Sequence, residues 1–234
     1  MSKLRISEIF ASLQGEGELM GTPSTFVRTS GCNLRCVWCD TPYASWSPEG
    51  PVMDLSEILH VIEQNGHKHV VLTGGEPMIF APLVELTQEL RARGHHITIE
   101  TAGTMDLPVE CDLMSISPKL AHSTPPPEAP DNWHERHEST RLKPETLRAL
   151  IQRYGYQLKF VVDGANPERD LIEIQALLAQ LGDIPAEKVF LMPEGRDEIA
   201  LRQAMQALSP LCMSHGYRLA PRLQITLYGD TRGT

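Results

Sequence analysis

Three of the five cysteines in this chain fall within eight consecutive residues, at Cys32, Cys36 and Cys39, in the spacing Cys-x3-Cys-x2-Cys. Thiolates are soft ligands that select iron–sulfur clusters, zinc or Cu(I). A tetrahedral zinc site wants a fourth Cys or His at comparable spacing, and none occurs in the twenty residues after Cys39. A [4Fe-4S] cluster held by three thiolates keeps one iron without a protein ligand, so it can bind a small molecule and do chemistry. Ordinary buried cysteines, or a zinc loop completed by a distant residue, are the alternatives left open by spacing alone. The isolated Cys111 and Cys212 read as structural residues.

The rest of the chain must supply a scaffold for that loop. Its 234 residues are enough for one α/β domain with a sizeable core. A formal charge of −9 argues against general nucleic-acid binding, which wants a basic stripe. No apolar run reaches the roughly 18 residues of a membrane span. The opening Met1-Ser2-Lys3-Leu4-Arg5 lacks the apolar core of a signal peptide. With clustered reduced cysteines, the expectation is a cytoplasmic protein.

Strand patterns alternate with helical stripes along the chain. Leu4–Ser12 and Thr25–Ser30 read as strands, the second delivering directly into the cysteine loop. Helices follow at Asp54–Asn65 and Pro82–Arg93, with strands at Lys68–Leu72, Ile97–Thr101 and Asp112–Ser117. Beyond them come helix Pro144–Tyr154, strand Gln157–Val162, helix Pro167–Leu181, strand Lys188–Met192, helix Asp197–His215 and a last strand over Leu219–Leu227. This alternation predicts parallel β-α units, about six parallel strands in an incomplete, open relative of the (β/α) barrel. Active sites of such folds lie at the carboxyl ends of the strands. The cysteine loop, Thr73-Gly74-Gly75-Glu76-Pro77, Glu100-Thr101, Ser117-Pro118-Lys119 and Met192-Pro193-Glu194 all fall there. Gly15 and Gly17, around Glu16, form a turn that lets backbone come close to a neighbour. Arg28, two residues before the loop, has a planar fork suited to a carboxylate, or else serves a surface ion pair.

Cys-x3-Cys-x-Trp-Cys, with Trp38 in the aromatic position, resembles the signature of the radical S-adenosylmethionine superfamily. The resemblance implies a [4Fe-4S] cluster on Cys32, Cys36 and Cys39. S-adenosylmethionine would bind its open iron and be cleaved to a radical that abstracts a substrate hydrogen. Gly74-Gly75-Glu76-Pro77 is similar to the superfamily's glycine-rich motif, which receives the amino end of the cofactor; a side chain at Gly75 would fill that space. By the same likeness Trp38, Cys39, Asp40, Gly75, Glu76, Ser117, Pro118, Lys119, Met192, Pro193 and Glu194 lie against the cofactor.

The finer resemblance, through almost the whole chain, is to the 7-carboxy-7-deazaguanine synthase family. It rests on Glu8-Ile9-Phe10, Leu13-Gln14-Gly15-Glu16-Gly17, Phe26-Val27-Arg28, Cys39-Asp40-Thr41-Pro42-Tyr43, Ile99-Glu100-Thr101 and Leu158-Lys159-Phe160-Val161-Val162. That family converts 6-carboxy-5,6,7,8-tetrahydropterin to 7-carboxy-7-deazaguanine by radical ring contraction with loss of ammonia. The resemblance implies substrate contacts at Leu13, Gln14, Gly15, Glu16, Arg28, Thr73 and Glu100, and a Mg2+ ligand at Thr41. It also implies a flavodoxin or ferredoxin as electron donor, and a homodimer. A glycyl-radical activase would carry further ferredoxin-like cysteines; a non-catalytic iron–sulfur or zinc module is the reading from another class.

Two stretches depart from the family pattern. Some members end in Gln-Thr-His-Lys, whereas this chain reads Arg222-Leu223-Gln224-Ile225-Thr226-Leu227-Tyr228-Gly229, so no substrate contact carries over there. The Pro- and His-rich insertion at 121–143, within a single domain spanning 1–234, holds His122, His134 and His137 and reads as a polar surface loop, a lid or a dimer contact.

Overall fold

The computed structural model describes residues 2–234. The chain builds one nine-stranded sheet: β1 (Lys3–Leu13), β2 (Pro23–Thr29), β3 (Val52–Asp54), β4 (His69–Gly74), β5 (His96–Thr101), β6 (Leu113–Ile116), β7 (Tyr156–Val162), β8 (Val189–Pro193) and β9 (Arg218–Leu219). Its order is β3-β1-β2-β4-β5-β6-β7-β8-β9, and the two ends do not pair, so the barrel is open. From β2 to β9 every pairing is parallel. The helices are α1 (Leu55–Asn65), α2 (Leu83–Ala92), α3 (Trp133–Arg141), α4 (Pro144–Arg153), α5 (Pro167–Leu181), α6 (Glu198–His215) and α7 (Leu223–Tyr228).

Two expectations need correction. The parallel strands number seven rather than six, and β1 runs antiparallel to both β2 and β3. The segment expected as a last strand over Leu219–Leu227 is instead the two-residue β9 followed by α7. The Leu223 N–H donates to the Gly15 carbonyl at 2.9 Å, which turns this segment towards the turn after β1 and away from the sheet.

The sheet has two chemically distinct faces, as period-2 side-chain alternation requires. Val27, Leu72, Ile99, Met114, Leu158 and Leu191 point to the helices and are fully or almost fully buried in the main core. Arg28, Thr73, Glu100, Ser115, Lys159 and Phe190 alternate with them on the other face, and the register sets Arg28 beside Thr73, Glu100 beside Ser115 and Lys159 beside Phe190. Helix α1 shows how local chemistry seats one such helix. Asp54 and Glu57 form a capping box at its start, Gly66 ends it in the left-handed region (φ 72°), and Leu55, Ile58, Leu59 and Ile62 face the core.

At the amino ends of the strands, His69 is buried between the Ser24 hydroxyl (2.8 Å) and the Thr98 hydroxyl (2.7 Å). Burial, helped by nearby His96, lowers its pKa to about 4. The unfolded chain therefore takes up a proton near the ordinary histidine value while the folded chain does not. Stability should fall as pH drops from about 6.5 towards 4, by on the order of 1–3 kcal/mol. The check is the denaturation midpoint across that range, which should be flatter in His69→Gln.

Candidate active site

The polar face of the sheet lines a cavity of about 940 Å³ at the carboxyl ends of the strands. Its floor is a chain of charges. The Lys159 ammonium, almost fully buried, lies 2.5 Å from Glu16 and 3.1 Å from Glu100. Arg222 continues the chain, 3.2 Å from Glu16 and 2.5 Å from Asp40 of the cysteine loop. Gln14 donates to Glu100 (3.4 Å) and Gln224 to Glu16 (2.8 Å). Burial alone would raise the Glu16 pKa, but Lys159 and Arg222 outweigh it and hold the carboxyl well below the usual carboxylate range. Burial likewise opposes the Lys159 charge, and Glu100 and Glu16 reverse that, pushing its pKa up. The floor thus presents an ionised Glu16 carboxylate, with Glu100 held beside it by Lys159.

Arg28 stands on one wall. Its Nε donates to Glu8 at 2.6 Å, Tyr43 donates to the same Glu8 oxygen at 3.0 Å, and the guanidinium sits 5.8 Å from the centre of the Phe10 ring. Held through Nε, the fork has no protein acceptor for its Nη groups among the described residues and borders the cavity. Trp38, Ser117, Lys119, Met192, Pro193 and Glu194 form another part of the wall, with Lys119 5.7 Å from the Trp38 ring centre.

The cysteine loop closes the carboxyl end of β2. Cys32, Cys36 and Cys39 pack with Leu34, Trp38 and Ala102, and all five cysteines are free thiols. Burial pushes Cys32 and Cys36 up to about 12, so they stand as neutral thiols. Among the described residues no set of three metal-ligating side chains is drawn around one point. The donor set itself, three thiols on one short loop, suits an iron–sulfur cluster, whose binding would displace their protons. Thr41 places a hydroxyl on the cavity wall, while Arg222 occupies the neighbouring Asp40 carboxylate.

Comparison with known proteins agrees with this geometry. The Radical SAM superfamily model matches residues 26–150. The 7-carboxy-7-deazaguanine synthase of Rhodopirellula baltica is 49% identical, over 100% of this chain and 90% of that protein. The one of Halobacterium salinarum is 45% identical over 99% and 93%. The chain belongs to the 7-carboxy-7-deazaguanine synthase family. The crystal structure of QueE from Escherichia coli superposes with a TM-score of 0.71 at 26% identity, covering 94% of each chain. This member of the radical S-adenosylmethionine synthases is therefore an enzyme acting on a small molecule, and its family implies a [4Fe-4S] cluster, S-adenosylmethionine and a reductant. The glycyl-radical activase and the non-catalytic module fall away as readings.

Within this synthase, Leu13, Gln14, Gly15, Glu16, Arg28, Thr73 and Glu100 come together on the cavity with Trp38, Asp40, Thr41, Gly75, Ser117, Lys119, Met192, Pro193 and Glu194. Pro118, Glu76 and the three loop cysteines, Cys39 among them, do not reach its wall. Glu76 is fully buried, and its oxygens accept from Thr101 Oγ1 (2.7 Å), the Ala102 N–H (2.7 Å) and the Met78 N–H (3.0 Å), bonds that brace the strand ends. Gly75 borders the cavity, but a side chain there would first meet the Gly31 and Ala44 carbonyls and the Cys32 Cβ.

The 121–143 insertion is not a polar surface loop. Nine of its residues form α3, and its His137 is fully buried. Burial keeps that imidazole neutral, with its pKa lowered to about 4. His122 borders the cavity, stacks on Trp38 at 5.6 Å, and lies 3.1 Å from Asp170 and 3.4 Å from Glu194. Burial would lower its pKa, but those carboxylates push it up to about 9. Lys159, Arg222, Gln224 and His122 are among the lining residues that sequence reasoning did not assign to the site. The alternation Gln157-Leu158-Lys159 was a usable signal, since it sets two polar residues on one face of a strand.

Proposed function

We propose that the cavity binds 6-carboxy-5,6,7,8-tetrahydropterin between the Arg28 wall and the Glu16–Lys159–Glu100 floor, and that its ring contraction with loss of ammonia takes place there. One observation carries this reading: the cavity has a cationic fork on one wall and two fixed carboxylates with Gln14 on its floor. A pterin carrying a carboxylate has the complementary pattern. Its carboxylate suits the Nη groups of Arg28, in a bidentate pair. The N–H donors of its aminopyrimidinone edge suit Glu16, Glu100 and the Gln14 amide.

The cluster would be held by Cys32, Cys36 and Cys39, and S-adenosylmethionine by the wall of Trp38, Asp40, Gly75, Ser117, Lys119, Met192, Pro193 and Glu194. When bound, they supply the radical that takes a hydrogen from the substrate. The chain itself orients the pterin and keeps Glu16 ionised. In the order of the chain, Leu13 and Gly15 offer backbone to the heterocycle and Thr73 borders it. A Mg2+ ion on Thr41 fits a hard cation that takes few protein oxygens and a substrate anion. Added Mg2+ should raise turnover without changing iron content, and Thr41→Val should blunt that response. Equal turnover in chelator and in magnesium would exclude the ion. The expected reductant is a flavodoxin or ferredoxin and the expected state a homodimer, both carried by the family resemblance; the free thiols fit the reducing conditions of a cytoplasm.

Substrate anchoring is tested by a two-by-two binding experiment on iron-loaded protein, using Arg28→Ala and a tetrahydropterin without the 6-carboxyl. Each single change should weaken binding by about 2–5 kcal/mol, and the two together by little more than either. Additive losses would mean that Arg28 meets something other than the carboxylate.

A further inference from the structure

The cysteine loop has no regular secondary structure between Cys32 and Cys39, so its backbone polar groups must find partners elsewhere. Two of those partners come from the insertion. The Arg35 N–H donates to His137 Nδ1 at 3.1 Å, across 102 residues of sequence. The Val37 N–H donates to the Ser123 carbonyl at 3.0 Å. These two N–H groups flank Cys36. The Cys36 carbonyl in turn accepts from Trp46 Nε1 at 3.0 Å, and Arg35 Nη1 donates to the carbonyls of Cys32 (2.9 Å) and Leu34 (2.7 Å) while its guanidinium lies 4.1 Å from the Trp133 ring centre.

The proton positions on this bridge are determined. A backbone N–H can only donate, so His137 Nδ1 is the bare nitrogen and Nε2 carries the hydrogen. Nε2 then donates to Ser123 Oγ at 2.9 Å, whose own hydrogen goes to the Leu120 carbonyl at 2.6 Å. His137 is the one buried residue of α3, a helix whose other side chains are exposed or half-buried. A buried histidine on a helix without an apolar stripe is costly unless both nitrogens are satisfied, and here both are.

We propose that His137 is a positioning residue for the iron–sulfur loop: through its Nδ1 bond to the Arg35 N–H it fixes the backbone beside Cys36 and so sets how firmly the three thiolates hold the cluster. The inference rests on reading Cys32, Cys36 and Cys39 as the cluster ligands. His137 touches neither substrate nor cofactor, and acts only through the loop. Partners that orient metal ligands from behind typically change affinity by about 10–100-fold when removed.

Three variants test this in anaerobically reconstituted full-length protein, by the chelator concentration that removes half the iron. Asn at 137 puts Oδ1 where Nδ1 stands and keeps an acceptor for Arg35. Gln reaches towards the Nε2 position, and Leu removes both bonds. His137→Leu and His137→Gln should lose iron at roughly 10–100-fold lower chelator, with His137→Asn close to the unmodified protein. Thermal melts of the metal-free proteins separate this from general instability; if the Leu variant does not fold, the Asn and Gln pair decides. Iron retention by the Leu variant equal to the unmodified protein, or rescue by Gln and not by Asn, overturns the proposal. An unmodified protein that takes up no iron would instead overturn the ligand assignment itself, which Cys36→Ala checks separately.

Discussion

Lys159→Met should lower kcat/KM for the pterin by roughly 10²- to 10⁴-fold while leaving the iron content unchanged. The side chain is almost fully buried and is the shared counter-charge of Glu16 at 2.5 Å and Glu100 at 3.1 Å. Removing one partner of a buried charge group costs about 3–5 kcal/mol, and each 1.36 kcal/mol is tenfold in rate. The damage should not be shared equally. Glu16 keeps Arg222 and Gln224, whereas Glu100 keeps only the 3.4 Å contact from Gln14. Glu100 should therefore become the failing part of the floor, so that Glu100→Gln added to Lys159→Met restores part of the loss by removing the stranded charge. The measurement is the KM and kcat of the single and double variants, with the melting temperature as control. A Lys159→Met enzyme of native kcat/KM would show that the triad has no part in binding the pterin.

Gly75→Ala should strike the cluster before it strikes the cofactor. A Cβ there would lie against the Gly31 carbonyl, 2.5 Å from the Ala44 carbonyl and 2.7 Å from the Cys32 Cβ. Two of these neighbours are backbone, tied together by the Gly31 N–H to Ala44 carbonyl bond at 2.8 Å and the Glu76 N–H to Gly31 carbonyl bond at 3.0 Å. They cannot swing aside as a side chain would, so the cysteine loop must shift. Overpacking of this kind costs about 1–3 kcal/mol, or roughly 5- to 150-fold in the population of the cluster-competent loop. Iron per chain should drop, and S-adenosylmethionine cleavage should drop with it. A variant with full iron that only fails to bind S-adenosylmethionine would return Gly75 to the role its sequence motif suggests, a gap left open for the methionine end.

Both predictions separate what the sequence disclosed from what it withheld. The cysteine loop, the glycine-rich turn after β4 and the β-α alternation are local patterns, so residue order alone revealed them. The direction of β1 was not legible, because an isolated strand pattern carries no information about its partner; only the pairing of Glu8 with Arg28 and Phe10 with Phe26 fixes it. Lys159 lay in a run that reads as a buried strand, and its meaning depends on Glu16 and Glu100, which are 143 and 59 residues away. The segment after β9 alternates like a strand at Leu223, Ile225 and Leu227, yet it is a helix, since Arg222 is drawn onto Glu16 and Asp40. His137 looked like part of a polar loop because its partner is a backbone N–H in a distant loop, a contact with no sequence pattern.

The central claim, that the Arg28 wall and the carboxylate floor hold a carboxypterin under a cluster-bearing loop, is tested most directly by anaerobic turnover. Iron-loaded protein is incubated with 6-carboxy-5,6,7,8-tetrahydropterin, S-adenosylmethionine and a reductant, and the products are weighed by mass spectrometry. The account predicts a product lighter than the substrate by one ammonia, formed by the unmodified protein and strongly reduced in Lys159→Met. Cleavage of S-adenosylmethionine to 5'-deoxyadenosine with no such product would contradict it.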